Sequence, residues 1–145
     1  HGVNWWKGEV NIKLLSNYQL LFEASVGENP NGNGLVGLDD VILRNGACSS
    51  QANVCDFDNK DLCSWINLKT DDFDWTLYQG STPTYNTGPS YDHTTNNYRG
   101  FYIYIETNSP SKLGWKAQLQ SEPVNDPKPG CVLFWYHMYG TVSAK

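Results

Sequence analysis

Charged residues are scarce in this sequence, and signals for nucleic-acid binding or membrane insertion are missing. Only 10 Lys and Arg and 15 Asp and Glu occur in 145 residues, which gives a net charge of −5. Because nucleic-acid-binding surfaces are basic, we expect no nucleic acid among the partners. No apolar run approaches the roughly 20 residues of a membrane-spanning helix, so we expect no direct membrane insertion of this segment.

Catalytic motifs are also absent. No His-Glu-x-x-His motif of a zinc protease occurs. The gaps between the four cysteines, at 48, 55, 63 and 131, do not match a zinc site. No nucleophile stands in a recognisable setting beside His93 or His137, and His137 is expected to be a satisfied core or edge histidine. Nothing places two carboxylates across a cleft as in a glycosidase. We therefore predict that the protein is not an enzyme.

Aromatic residues are abundant, and the cysteines are even in number. Six Trp, nine Tyr and five Phe favour a packed core over disorder. Four cysteines in a chain of this size are typical of disulfides and an oxidising compartment. Their spacing favours a local loop between Cys55 and Cys63. Cys48 and Cys131 require long-range partners, inside or outside this chain.

Short segments with alternating or continuous apolar residues predict β-strands. They lie at 9–15, 18–26, 36–43, 72–78, 100–106, 115–119 and 131–139. Clusters of Gly, Asn, Pro and Ser separate them, with long loops at 80–97 and 121–130, and no segment has a helical period. The pattern predicts an all-β sandwich or barrel.

Three stretches together resemble the MAM domain, the extracellular module of meprins, neuropilins and mu-type receptor tyrosine phosphatases. They are CDFD followed by LCSW within 55–65, DDFDW followed by GP and DHT within 71–94, and CVLFWYHMYG at 131–140. The resemblance implies an antiparallel, jelly-roll-like β-sandwich and a disulfide between Cys55 and Cys63. It also implies an extracellular location, either secreted or in the ectodomain of a membrane protein.

The N-terminal part resembles the closing third of the same domain. Its motifs are Trp6 with EVNI, YQLLFE at 18–23, GLDDV at 37–41, and Gly46 with Cys48. Residues 1–48 are thus expected to be the C-terminal part of a first MAM-like domain, 49–54 a linker, and 55–145 the N-terminal part of a second. The resemblance then places the partners of Cys48 and Cys131 outside the chain.

Two arrangements of these segments are compatible with the sequence. The predicted one is a slice of a tandem array, in which 1–48 and 55–145 lie in separate sandwiches that neighbouring repeats complete. The alternative is a permuted domain, in which 1–48 folds back on 55–145 and Cys48 meets Cys131.

Acidic residues are the candidate metal ligands. Asp39 and Asp40 interrupt an apolar strand, where a carboxylate is costly unless it is paired or metal-bound. Asp58 follows a core-type Phe57, and Asp92 lies in a polar loop. The resemblance implies a cation near such acids, and calcium takes carboxylate oxygens. We predict a structural Ca²⁺ at these four aspartates, with capping of turns as the alternative.

The leading functional prediction is a non-enzymatic extracellular adhesion or assembly module. Its expected partners are other MAM repeats, copies of itself or extracellular proteins, in contacts or filaments. The alternative is a calcium-dependent carbohydrate-binding β-sandwich, in which Trp and Tyr stack on sugars. Core packing is nevertheless expected for Trp65, Trp75 and Trp135. One of the adjacent Trp5 and Trp6 is expected to be exposed, because neighbouring strand residues face opposite sides.

Overall fold

Ten β-strands among the described residues form two antiparallel sheets. The computed structural model describes residues 4–13, 16–27, 34–46, 54–108, 110–125, 128–139 and the backbone of 142–144. The strands are β1 (Trp6–Ile12), β2 (Leu21–Val26), β3 (Leu35–Asn45), β4 (Val54–Cys55), β5 (Ile66–Asn67), β6 (Thr76–Gln79), β7 (Phe101–Glu106), β8 (Lys116–Gln120), β9 (Gly130–Tyr139) and β10 (Val142–Ala144). The described residues contain no helix, and the predicted all-β sandwich is confirmed.

The two segments of the chain share both sheets. The large sheet has the order β1-β9-β3-β7-β6, with β4 paired to β3, and the small sheet has the order β10-β2-β8-β5. Strand β3 of residues 1–48 therefore lies between β9 and β7 of residues 55–145. The expectation of separate sandwiches is wrong for this chain. That the two segments come from neighbouring MAM domains stays a prediction.

The fold-back has a physical reason in the composition of β3. Its first eight residues, Leu35–Ile42, are all buried, as expected for a central strand that is covered on both faces. An edge position would expose this apolar run and leave its backbone groups unpaired. Pairing with β9 along one side and with β7 along the other removes both costs.

The main core lies between the sheets. Strand alternation sends one set of side chains inward from each strand, and Phe57, Trp65 and Trp75 join them from the loops around β4–β6. Trp65 and Trp75 are only 6% and 4% exposed, so the prediction of core packing is confirmed for both.

The outer face of the large sheet is covered as well, by the loop at 80–97. Tyr102 lies on this face and donates its hydroxyl to the carbonyl of Gly80 at 2.6 Å. The N–H of Thr84 donates to Glu106 at 3.1 Å. Pro89 is fully buried beneath the loop. The predicted long loop is thus an ordered cover, and it positions the residues described next.

Candidate functional site

A β-bulge in the middle of β3 brings two acidic side chains to the outer face of the large sheet. The register with β9 is regular up to Asp39 and resumes at Ile42. β3 therefore accommodates one extra residue, and Asp40 takes a left-handed conformation with φ of 49°. Aspartate tolerates this region better than most residues. Because of the bulge, consecutive aspartates contact the same covering loop.

Asp39 is fully buried and is fixed by two backbone groups. The N–H groups of Asp40 and His93 donate to its two carboxylate oxygens at 2.8 and 2.7 Å. Burial, with smaller contributions from the charges of Asp40 and Asp92, raises the pKa of Asp39 to about 8, although the two N–H groups lower it. Asp39 therefore ionises less readily than an exposed aspartate, and it joins the bulge to the loop.

Asp40 holds the next two loop residues. Nδ1 of His93 lies 2.5 Å from its Oδ2, and the hydroxyl of Thr94 donates to its Oδ1 at 2.8 Å. The His93 ring also stacks on Trp135, with ring centroids 3.7 Å apart and 14° between the planes. The ring and the hydroxyl both contact Asp40 rather than each other, so this is not the arrangement of an activated nucleophile.

Asp92 organises the turn that follows, from a fully buried position. Its carboxylate accepts the N–H and the hydroxyl of Thr95 at 2.6 and 2.8 Å, and the N–H of Asn97 at 3.1 Å. Gly100 lies directly against this carboxylate, and a Cβ at that position would overlap its atoms. Only glycine therefore permits this approach of the turn to the start of β7.

Asp58 makes a comparable contact near the short disulfide loop. Its Oδ1 accepts the N–H of Phe101 at 2.7 Å, and its own N–H donates to Asp56 at 3.1 Å. Burial is the main cause of its raised pKa, and the charges of Asp92, Asp56 and Asp40 add to it. The four predicted aspartates thus lie close enough to interact electrostatically.

Protein donors engage most of the carboxylate oxygens of these four aspartates. Both oxygens of Asp39, Asp40 and Asp92, and Oδ1 of Asp58, accept hydrogen bonds from the protein. Within the described part of the chain, no group of three or more His, Cys, Asp or Glu side chains is arranged to hold a metal ion. Calcium binding stays a prediction, which thermal unfolding with Ca²⁺ and with chelator will decide.

His137 lies on the outward side of β9, almost completely buried at 1% exposure. Neither ring nitrogen has a hydrogen-bond partner among the residues that the structure describes. The expected burial of this histidine is therefore confirmed, and its expected hydrogen bonds stay a prediction. Trp5 covers it, with ring centroids 6.0 Å apart, and burial lowers the pKa of His137 to about 4.

A groove of about 570 Å³ opens beside this buried cluster, and we call it the outer groove. It is lined by Asn4, Trp5, Pro89, Ser90, Tyr91, His93, Asn96 and Trp135. The indole N–H of Trp5 donates to the carbonyl of Tyr91 at 2.9 Å, which joins the strand side of the groove to the loop side. The prediction of core packing holds for Trp135 in part, because it packs against the buried cluster of Ile42, Cys131 and Leu133 on the outer face while it is half-buried and also lines the groove.

A second opening, the inner groove, lies between the sheets at the β1 edge and has a volume of about 470 Å³. Its lining is almost entirely apolar and includes Val10, Leu21, Phe134 and Met138. Trp6, on the same edge strand, is 53% exposed, and Val10 and Leu21 are 54% and 45% exposed. The large sheet is thus wider than the small sheet that covers it. The exposure of Trp6 confirms the prediction that one of the adjacent Trp5 and Trp6 is exposed.

The short disulfide is present as predicted. Cys55 and Cys63 are bonded, with Cα atoms 6.0 Å apart. Cys131 is also disulfide-bonded, within this single chain, whereas the resemblance placed its partner beyond the chain. The partner of Cys131 can lie within the chain because β3 pairs with β9, the strand that carries Cys131. Cys48 itself lies outside the described residues.

We expect non-reducing peptide mapping to recover two linked pairs, Cys55 with Cys63 and Cys48 with Cys131. The N–H of Gly46 donates to the carbonyl of Pro129 at 2.7 Å, and two further residues span only about 7 Å, so the chain after β3 is within reach of Cys131.

Loop closure predicts a loss of about 2–3 kcal/mol for C55A/C63A, measured by urea unfolding. Free thiols at 55 and 63 in freshly isolated protein would contradict the extracellular assignment.

Comparisons with known proteins agree with the motifs at the disulfide loop, in the covering loop and in β9. The family model for the MAM domain, meprin/A5/mu, matches residues 55–145. The chain belongs to the MAM family. MAM domain-containing protein 2 of Mus musculus is 37% identical over 143 residues, and its Homo sapiens counterpart is 36% identical over 143 residues; each match covers 94% of this chain.

Other MAM proteins match a shorter part. MAM domain-containing glycosylphosphatidylinositol anchor protein 1 of Homo sapiens is 41% identical over 93 residues, which are 61% of this chain and 10% of that protein. The chain spans about a fifth of the length of the two MAM domain-containing protein 2 sequences. No solved structure matches it. No described helix has the length and apolarity to cross a membrane.

The MAM chain therefore has an outer surface that the sequence predicted only in part. Asp39, Asp40 and Asp92 do meet in space, and Asp58 lies near them, as the metal hypothesis required. The hydrogen-bond partners that occupy them, and the groove beside them, were not predicted. Tyr91 and Asn96 belong to a polar loop whose composition resembles any turn region, so no sequence signal distinguished them.

Proposed function

We propose that this MAM chain is a non-enzymatic extracellular module for adhesion or assembly. Family membership supports an extracellular module, and one relative is named as a glycosylphosphatidylinositol anchor protein. The Cys55–Cys63 disulfide fits an oxidising compartment. The absence of an activated nucleophile around His93, among the described residues, supports a role in binding rather than catalysis.

The inner groove is the observation that carries the assembly role. It presents contiguous apolar surface at a sheet edge, and such surface is typical of an interaction site. Val10 of the large sheet and Leu21 of the small sheet line it, and they are 54% and 45% exposed. A second copy of the MAM chain, with the same apolar β1 edge, is the partner that we propose.

The resemblance to tandem MAM domains extends the proposed partners from a second copy of this chain to other MAM repeats. Other MAM repeats in the intact protein would present related edges, so contacts between repeats and contacts between molecules would use the same groove. Head-to-tail contacts of this kind propagate into filaments unless they close into a ring. Tandem repetition and filament formation are thus part of the proposal, as are extracellular protein partners.

Sedimentation velocity over a wide range of protein concentration tests the assembly role. We expect reversible self-association of the unmodified chain and at least about tenfold weaker association of W6S/V10S, because Val10 lines the inner groove and the exposed Trp6 lies on the same edge strand. Exposure of these residues in the monomer means that the variant should fold. The matched control is I66S, since Ile66 is 54% exposed and lies on β5 at the far edge of the small sheet.

A monomeric chain at every concentration would contradict self-assembly. Equal association constants for the unmodified chain and W6S/V10S would show that another surface is used. Circular dichroism of each variant establishes that any change in association comes from the groove rather than from unfolding.

A further inference from the structure

We propose that the outer groove is a binding site for a neutral saccharide, and that this binding does not require calcium. The site is separate from the apolar inner groove and lies on the opposite face of the large sheet. Its volume of about 570 Å³ lies within the range of small-ligand sites, which are about 300–1,000 Å³. The groove is assembled from both segments of the chain.

The aromatic side chains supply the apolar part of such a site. Trp5 and Trp135 line the strand side, and Tyr91, which is 52% exposed, lines the loop side. A pyranose ring carries an apolar face of C–H groups, and flat aromatic rings are the side chains that pack best against such a face. Exposed aromatic surface in a groove, unlike the buried Trp65 and Trp75, is available to a ligand.

The polar side chains of the outer groove supply hydrogen-bonding groups for the hydroxyls of a sugar. Asn4, Ser90 and Asn96 line the groove. Within the described chain their side chains make no hydrogen bond to protein, whereas the nearby Asp92 is fully engaged. An asparagine amide both donates and accepts hydrogen bonds, as sugar hydroxyls do. The groove thus offers aromatic faces together with free amide and hydroxyl groups.

The charge of the lining defines the ligand further. Among the residues that the structure describes, no Asp, Glu, Lys or Arg lines the outer groove, and His93 is the titratable imidazole there. An anionic sugar would find no cationic partner there, so a neutral hexose or N-acetylhexosamine is the ligand class that fits. The described lining also contains no carboxylate that could hold a calcium ion between protein and sugar, so the proposed contacts are aromatic packing and hydrogen bonds alone. This separates the proposal from calcium-dependent sugar binding.

The groove is held in shape before a ligand arrives. Trp5 is fixed by its hydrogen bond to the Tyr91 carbonyl and by edge-on contact with Tyr102, at 5.7 Å between ring centroids. His93 is fixed by Asp40 and by stacking on Trp135. A rigid site loses little conformational entropy on binding, which favours affinity for a small ligand.

An array of immobilised neutral glycans, followed by calorimetric titration of the best glycan, tests the proposal. We expect binding that is unchanged by chelator and at least about tenfold weaker in Y91A and in N96G. Both variants should fold, because the Trp5 bond uses the backbone of Tyr91 and because Asn96 has a φ of 52°, which glycine adopts easily. The matched control is Y85A, which removes an 86% exposed tyrosine from the same loop but outside the groove.

Three results would overturn the proposal. The first is an array without binding above background. The second is equal affinity of Y91A, N96G and Y85A for the glycan. The third is binding of a proline-rich peptide, which also fits aromatic grooves, without binding of any glycan. Because W6S/V10S alters only the inner groove, we expect it to bind glycan normally, so failure of self-assembly and failure of sugar binding are distinguishable.

Discussion

Substitution of Gly100 by alanine is expected to cost about 3 kcal/mol or more, which is a large part of the free energy of unfolding of a typical domain. The new Cβ would overlap the Asp92 carboxylate. This carboxylate is buried and accepts three hydrogen bonds from Thr95 and Asn97, so it cannot move without leaving buried polar groups unpaired. Urea unfolding followed by tryptophan fluorescence measures the loss.

A double-mutant cycle separates this overlap from a general effect of adding a methyl group. D92A removes the carboxylate and makes room, so G100A should cost far less in the D92A background than in the unmodified chain. G114A is the matched control, because Gly114 has a φ of 82° and nothing within 4 Å of its Cβ position; backbone strain alone should cost about 1 kcal/mol. An undiminished cost of G100A beside D92A would show that Asp92 is not the obstacle.

Acidification from pH 7 to pH 4 is expected to cost the protein about 3 kcal/mol through His137 alone. Burial lowers its pKa to about 4 in the folded state, against about 6.5 in the unfolded chain. Between these values the unfolded state binds more protons, so stability falls as the pH falls through this window. The folded and unfolded pKa values of His137 differ by about 2.5, and each step of one in pKa corresponds to 1.36 kcal/mol, which gives the expected loss of about 3 kcal/mol.

The comparison of the unmodified chain with H137F isolates this contribution. Asp39 acts in the opposite direction, because its raised pKa of about 8 makes stability fall as the pH rises from about 4 to 8. Asp39 is present in both chains, so its contribution cancels in the difference between the two unfolding curves. Equal pH dependence of the two chains would mean that the His137 ring reaches solvent or a partner in the folded state.

The all-β class, most of the strands, the family and the short disulfide could be predicted from the sequence. These features have local causes. Period-two alternation reports which side of a strand is buried, and a sequence separation of eight between Cys55 and Cys63 permits a closed loop whatever the rest of the chain does. The run GFYIYIE became β7, the segment at 131–139 became β9, and both lie in the large sheet.

Only the tertiary structure decided how the two segments combine and what the polar loop does. Pairing between β3 and β9 joins residues that are about 90 positions apart, and no local pattern encodes a partner at that distance. The bulge at Asp40, the contact of Asp92 with Gly100 and the burial of His137 all arise from that pairing and from the loop packed over it. The outer groove depends on the same packing, because Trp5 and Tyr91 meet only when the first segment folds onto the second.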